Sequence, residues 1–258
     1  AVWQRKFTAS KQGLEQIAYW KGALAGCTQT LALPYDRPRQ PFLTYSGDIS
    51  EQRVSVDLIE SLKKMANRHN ATLFDIMLTG FSALLHRLTG QDDFCLGVGV
   101  AARTRIEMER VVGMLVNTIA LRIQVGNNET SVQLLDHHRM LKAAAYANQD
   151  APFDKVVAAL NPVRVPNLHP VFQVMYSFHD APLREVKVDG LCIDQPENIS
   201  GGSAKFDLNI IVRLQQTGSE RGAATVVWEY NTDLFDPSTI FLLQQRYERV
   251  LKSLASDL

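Results

Sequence analysis

The sequence has no excess of charge of either sign, since Lys and Arg together number 27 and Asp and Glu together also number 27. Proteins that bind nucleic acid or anionic membranes usually carry a strongly basic surface. The balanced charge therefore predicts neither partner. The sequence also lacks an uninterrupted apolar run of about 18 residues, so we predict no membrane-spanning helix.

Cysteine is scarce, and the three present, Cys27, Cys95 and Cys192, form no C-x-x-C pair. This spacing excludes a small disulfide-rich scaffold and the common zinc motifs. We expect reduced thiols in a cytoplasmic protein. The chain begins at Ala1 without Met, and residues 3–6 (W-Q-R-K) interrupt any apolar leader. We therefore expect a fragment of a longer protein rather than a secreted precursor.

Several catalytic signatures are also missing. Residues 97–100 (G-V-G-V) lack the third glycine and the following helix of a dinucleotide fingerprint. Gly201 and Gly202 precede a predicted strand with no Gly-Lys-Ser/Thr, which excludes a phosphate-binding P-loop. No Gly-x-Ser-x-Gly elbow presents a nucleophile. The residue types alone thus predict a domain without a self-sufficient active site.

The histidines are the remaining candidates for a base or a metal ligand. His137 and His138 are neighbours on a predicted helix, where adjacent side chains point about 100° apart, so a surface or packed pair is favoured over a site. His86 lies on an apolar helix and is expected to be a core histidine with a satisfied hydrogen bond. His179, beside Asp180, ends a predicted strand, a position that suits either a catalytic residue or a plain polar strand end.

Hydrophobic periodicity predicts a single α/β or α+β domain with a mixed sheet flanked by helices. Thr72 and Asp75 have the spacing of a capping box, and Gly90 is placed to end the helix that they begin. The proline-rich stretch 33–41 predicts an extended connection. The expected helices cover 9–25, a segment capped by Asp57, 73–88, 131–147, 153–160 and the segment from Pro237 onward. The expected strands cover 52–56, 94–100, 115–125, 171–178, 186–193, 205–214 and 223–230, the last two forming a hairpin around Gly218.

Four stretches, in order, resemble motifs of the condensation-domain family of nonribosomal peptide synthetases. Residues 1–5 (A-V-W-Q-R) resemble the end of Y-x-D-[FY]-A-V-W, and residues 112–122 (V-G-M-L-V-N-T-I-A-L-R) resemble [IV]-G-x-F-V-N-T-x-x-x-R. Residues 148–154 (N-Q-D-A-P-F-D) are similar to [HN]-Q-D-x-P-F-E. Residues 164–174 (R-V-P-N-L-H-P-V-F-Q-V) share with R-D-x-S-R-N-P-L-F-Q-V the residues Arg164, Pro170, Phe172, Gln173 and Val174. The resemblance spans essentially the whole chain and matches the C-terminal, acceptor-side lobe.

The resemblance implies a chloramphenicol-acetyltransferase-like lobe, one of two that form a V around a tunnel. It divides the chain into residues 1–45, an N-terminal helix and proline-rich connection, and residues 46–258, the lobe itself. The implied partners are the N-terminal lobe, peptidyl or acyl carrier domains and an adjacent adenylation domain. The carriers would bring 4'-phosphopantetheine thioesters, and no cofactor or metal would bind this chain directly. The implied reaction is attack of a carrier-bound acceptor amine on a carrier-bound donor thioester.

The family's H-H-x-x-x-D-G motif, which supplies the catalytic histidine, has no match here. The His137–His138 pair is followed by R-M-L-K-A and no Asp-Gly. We therefore expect no catalytic residue in this chain and no activity without the N-terminal lobe. The alternatives are a non-catalytic carrier-protein-binding domain and a relative of CoA-dependent acyltransferases, while the V-N-T stretch favours condensation over epimerisation.

The resemblance also assigns candidate roles. Arg103, with Arg105 as its competitor, would pair across the lobes with the aspartate of the histidine motif, and without that partner an arginine is expected to prefer solvent. Segment 195–205 resembles an element that crosses between the lobes, and its glycines make it flexible. Candidate inter-lobe or tunnel residues are Arg103, Arg105, Asn117, Thr118, Ser200 and Ser203. Candidate acceptor-side residues are Gly113, Gln149, Asp150, Arg164 and His169. For the polar strand and turn residues the alternative is that they only satisfy backbone groups.

Overall fold

The computed structural model describes residues 2–103, 106–126, 128–179, 199–215 and 221–256. The helices are α1 (Val2–Thr8), α2 (Lys11–Ala23), α3 (Val56–Arg68), α4 (Leu73–Thr89), α5 (Ser131–Ala147), α6 (Phe153–Leu160) and α7 (Pro237–Ser256). The strands are β1 (Gly47–Val54), β2 (Asp93–Ala101), β3 (Val116–Gln124), β4 (Val174–His179), β5 (Leu208–Leu214) and β6 (Ala224–Asn231). The predicted strand 186–193 and the hairpin tip at Gly218 lie outside the described residues.

The strands form one mixed sheet in the order β1-β6-β5-β4-β2-β3. β4 runs parallel to both β2 and β5, and the remaining pairs are antiparallel. Parallel neighbours need a crossover, and the one that joins β2 to β4 runs through β3, α5 and α6. The β5–β6 hairpin follows the prediction, and the mixed sheet flanked by helices confirms the predicted fold class.

An aromatic cluster joins the sheet to its helices. The Phe81 ring of α4 lies 5.5 Å from Tyr176, 6.0 Å from Trp228 and 5.7 Å from Tyr247 of α7, measured between ring centroids. All four side chains are buried. Such contacts add to the stabilisation that comes from removing large apolar surfaces from water. The helix that begins at Leu73 therefore lies deep in the core.

The helix ends show which of the predicted capping residues begin or end a helix in the structure. Thr72 and Asp75 form the predicted capping box, and Gly90 ends α4 in the left-handed conformation at φ 66°. The prediction for α3 was wrong in its cap: Ser55, not Asp57, lies at the N-cap, and its hydroxyl accepts from the Leu58 amide at 3.4 Å. α1 was not predicted, and the helix predicted over 9–25 begins at Lys11, with Ser10 as its N-cap.

The segment between α2 and β1 is extended, as its prolines predict, and is anchored to the sheet. Leu31 and Leu33 are buried in the main core. Cys27 and Cys95 are joined as a disulfide, so the expectation of reduced thiols is wrong for this pair; Cys192 lies outside the described residues. In the part of the chain that is described, none of the helices combines the length and apolarity that crossing a bilayer would require.

Candidate active-site groove

An open groove of about 580 Å³ brings together residues from three of the four family-like stretches. Its polar lining includes Asn117 at the start of β3 and Gln149 and Asp150 in the turn after α5. The other lining residues come from α1 and from the segment around the 3-10 turn Ile106–Met108, and they are Trp3, Gln4, Ala102, Glu107, Met108, Met114, Leu115 and Val116. The sequence-predicted residues Asn117, Gln149 and Asp150 are therefore neighbours in space.

Asn117 contacts the turn that follows α5. Its Nδ2 donates to the backbone oxygens of Gln149 at 2.7 Å and Ala151 at 2.8 Å. Its Oδ1 accepts from the Phe153 amide at 3.4 Å. Thr118 is half-buried and points to the other face of β3, because successive side chains of a strand alternate. Within this pair of residues, only Asn117 lines the groove.

Arg103 does not extend freely into solvent, contrary to the expectation for an unpaired arginine. The half-buried guanidinium donates to the backbone oxygens of Met108, of Val111 at 2.9 Å and of Gly113 at 3.4 Å. The loop therefore folds around the charge with three carbonyl dipoles, which partly replace a carboxylate partner. Gly113 takes part through its backbone alone. Arg105 lies outside the described residues.

The stretch 164–174 does not line the groove, and its side chains hold other segments in place. The buried Gln173 accepts from the Leu31 amide at 3.0 Å and donates to the Gln29 oxygen at 2.8 Å. His169 donates through Nε2 to the Lys205 oxygen at 2.6 Å, and burial lowers its pKa. Arg164 is exposed. Arg164 and His169 therefore do not line the groove with Gln149 and Asp150.

Ser200 and Ser203 lie in the described part of the crossing segment. The Ser200 hydroxyl accepts from the Gly202 amide at 3.3 Å, and Ser203 forms an antiparallel bridge with Ser46. The backbone approach is close, because a Cβ added to Gly47 would lie 2.2 Å from the Ala204 nitrogen. Residues 202–204 are therefore anchored to the start of β1, although the glycines beside them led us to expect flexibility.

The histidines do not gather at the groove. All six lie within the described residues, and none of them lines it. His137 is 60% exposed, and its Nδ1 lies 2.5 Å from Glu129 Oε1, whereas His138 is buried. The predicted divergence of this pair is therefore confirmed. The half-buried His86 is within hydrogen-bond distance of the Gln91 oxygen at 3.1 Å, and His179 is exposed at the end of β4, with Asp180 outside the described residues.

Sequence reasoning missed a buried ionic cluster. Asp207, which directly precedes β5, accepts hydrogen bonds from the Arg39 guanidinium and from the Tyr35 hydroxyl at 2.8 Å. Burial and then the Asp207 charge raise the pKa of Tyr35. Three prolines around Arg39 signalled only an extended segment, and nothing in the sequence connects it with a residue 168 positions away.

A second missed contact involves Arg122, the last residue of the V-N-T stretch. Its guanidinium binds Asp93 of the neighbouring strand through two hydrogen bonds of 2.8 and 2.6 Å and donates to the Ala25 oxygen at 2.7 Å. These two-point hydrogen bonds raise the pKa of Arg122. Arg122 thus holds the β2–β3 pair against the end of α2.

Comparisons with known proteins agree with this arrangement. A family model described as "Condensation domain" matches residues 1–258. Malpinin synthetase of Mortierella alpina is 36% identical over 240 residues, which are 93% of this chain and 3% of that protein. Malpibaldin synthetase of the same organism is 32% identical over 258 residues, which are 100% of this chain and 4% of that protein. The chain therefore spans a small part of the curated relatives that it matches.

Two solved structures share the fold. The X-domain from teicoplanin biosynthesis superimposes with a TM-score of 0.88 at 21% identity, over 99% of this chain and 58% of that one. The first condensation domain of the calcium-dependent antibiotic synthetase gives a TM-score of 0.80 at 21% identity, over 99% and 56%. The six-stranded mixed sheet with its helices is thus a chloramphenicol-acetyltransferase-like fold. With the family match over its whole length, the chain belongs to the condensation-domain family of nonribosomal peptide synthetases.

Proposed function

We propose that this chain is the C-terminal, acceptor-side lobe of a condensation domain that joins a carrier-bound donor acyl thioester to a carrier-bound acceptor amine. The observation that carries the proposal is the groove, where Trp3, Asn117 and Gln149 from three family-like stretches meet. No histidine of the chain lines this groove. The base would therefore come from the N-terminal lobe, and the chain alone would be inactive.

The surface beside the groove supports the proposal that a second lobe packs against this one. We define the apolar strip as Trp3, Val111, Val112, Met114 and Val116; Val112 is 100% exposed and Met114 is 92% exposed. Trp3, Met114 and Val116 line the groove together, and Val111 and Val112 adjoin them in the chain. Exposed apolar side chains grouped in this way mark an interaction site. The chain spans 56% of the solved condensation domain that it resembles, so a second lobe is the occupant that we assign to the strip.

The reaction places simple demands on this lobe. The acceptor nitrogen attacks the donor carbonyl carbon, the C–N bond forms, the C–S bond breaks and the pantetheine thiol leaves. The amine proton passes to a base from the other lobe. Apolar walls at Trp3, Met108 and Val116 would exclude water from the groove and so limit hydrolysis of the thioesters. The groove would also hold the two thioesters in reacting geometry. Carrier domains and an adjacent adenylation domain are the proposed partners.

The proposal predicts that amide formation requires both lobes. A panel of acyl-loaded donor and aminoacyl-loaded acceptor carrier proteins is incubated with this chain, with the N-terminal lobe, and with both, and the products are measured by mass spectrometry. We expect the amide only from the mixture. A control mixture carries alanine in place of the second histidine of the N-terminal lobe's H-H-x-x-x-D-G motif and should form none.

Two outcomes would reject this function. Amide formation by the lone chain would show that the catalytic group lies within it. If the mixture forms no amide but the lone chain binds aminoacyl-loaded carrier protein in a direct titration, the chain is a non-catalytic carrier-binding domain.

A further inference from the structure

The turn between α5 and α6, residues 147–153, is held by side chains from two other elements. Gln16 and Trp20 of α2 contact it from one side, and Asn117 of β3 contacts it from the other. The turn carries Gln149 and Asp150, which line the groove. The position of this groove wall therefore depends on three side chains outside the turn.

Asn117 is committed to the turn rather than to a ligand. Both hydrogens of its carboxamide have backbone acceptors, the oxygens of Gln149 and Ala151. Its Oδ1 accepts from the amide of Phe153 in the first turn of α6. A carboxamide has two hydrogens to donate, so Asn117 has none left for a substrate.

The contacts from α2 complete the restraint. Gln16 donates to the Ala147 oxygen at 3.3 Å and accepts from the Ala151 amide at 2.9 Å. The Trp20 indole nitrogen donates to the Asn148 oxygen at 2.8 Å. Both side chains are buried, so each lost contact leaves a backbone group without its partner in a place that water reaches poorly.

We propose that Asn117 is a positioning residue for substrate, which it aligns by fixing the 147–153 turn and thereby the groove wall at Gln149 and Asp150. This inference rests on the proposed function, because it takes the groove as the place where the acceptor thioester lies. The sequence left two roles open for Asn117, lining the tunnel and satisfying backbone groups. This inference joins them, because the side chain binds backbone groups and acts on the groove through the turn. Small displacements of such a wall misalign the reacting atoms.

The kinetic test uses the complete two-lobe domain carrying Asn117→Ala. We expect the KM for the acceptor thioester to rise and its kcat/KM to fall by about tenfold or more, with the donor KM unchanged. The matched control is Gln52→Ala. Gln52 is also a buried carboxamide, donating to the Gln244 oxygen at 2.7 Å and accepting from Trp228 Nε1 at 3.1 Å, but it lies between β1, β6 and α7. This control should lower the melting temperature similarly and leave the acceptor KM unchanged.

A second variant and a second readout keep the test independent of folding and of the proposed function. Trp20→Phe retains an aromatic ring but removes the bond to Asn148, and it should raise the acceptor KM in the same direction by less. Hydrogen exchange at the Phe153 amide should be faster in Asn117→Ala than in wild type. If wild type forms amide but Asn117→Ala matches Gln52→Ala in acceptor KM, or alters only the donor KM, the positioning role is rejected. If wild type forms no amide, the proposed function fails, while unchanged exchange at Phe153 would by itself reject the restraint.

Discussion

At the scale of the residue, the burial of His138 makes the stability of the fold depend on pH. The Thr79 hydroxyl donates to the backbone oxygen of Asp75 at 2.7 Å, so its own oxygen is left to accept from His138 Nδ1, 2.9 Å away. This pairing assigns the neutral tautomer with hydrogen on Nδ1. Nε2 is buried without a hydrogen-bond partner among the described residues. Burial lowers the pKa of His138 to about 4.

The lowered pKa predicts loss of stability in acid. Between pH 6.5 and about 4 the unfolded chain binds a proton at His138 that the folded chain does not, so the free energy of unfolding falls as the pH falls. The full loss is about 3 kcal/mol, at about 1.4 kcal/mol per pH unit. We expect urea unfolding between pH 7 and 4.5 to show this slope in wild type and a flatter one in His138→Asn.

Gln52→Ala provides the control for this measurement. Gln52 is buried and does not titrate, so this variant should lower the free energy of unfolding at every pH and keep the wild-type slope. Equal slopes in wild type and His138→Asn would contradict the assignment.

At the scale of elements, α3 shows that backbone conformation, more than residue type, decides which residue caps a helix. Ser55 has φ −63° and ψ 155°, the extended conformation from which a side chain can reach the third amide along. Asp57 lies inside the first turn and is exposed, where a carboxylate interacts only with the helix dipole.

The two residues should therefore differ in their contribution to stability. Ser55→Ala is expected to lower the free energy of unfolding by about 1 kcal/mol. Asp57→Ala, the control in the same helix, should cost about 0.3–0.5 kcal/mol, and less in high salt. Chemical denaturation of both variants measures the difference, and a larger loss in Asp57→Ala would reinstate Asp57 as the cap.

At the scale of the whole molecule, the apolar strip is the surface that the proposed N-terminal lobe would cover. Val112 and Met114 are its most exposed members, and Met114 lines the groove. Burying side chains of this size contributes about 1.5–3 kcal/mol each.

The strip predicts the effect of charged substitutions on lobe association. The double variant Val112→Glu/Met114→Glu should weaken binding of the separately produced N-terminal lobe by about 100-fold, measured as Kd by titration. Because both positions are exposed in the lone chain, its melting temperature should not change. Val163→Glu, at a residue that is 74% exposed beyond α6, should leave the Kd as in wild type, and equal weakening by both variants would argue against this interface.

The elements that sequence reasoning placed correctly are those with strong local signals. α5 and α6 have the predicted bounds, and the capping box at Thr72 and the stop at Gly90 are present. The α3 cap was misplaced by two residues, and the contacts that were missed depend on distant residues. Asp36, for example, accepts from the Asp236 amide at 2.7 Å and from the Thr239 hydroxyl at 2.8 Å at the start of α7.

The sequence by itself determined the fold class, the family, and the separation of His137 from His138. Periodicity, turn residues and ordered motifs are properties of short stretches, and helix geometry alone makes adjacent side chains diverge. Only the tertiary structure decided that Asn117 restrains the 147–153 turn, that carbonyl groups surround Arg103 and that Asp207 pairs with Arg39. The contacts of Asn117 and Asp207 join residues that are brought together by strand order and helix packing, which no local pattern specifies. The contacts of Arg103 lie within one loop, whose path the sequence motifs do not define.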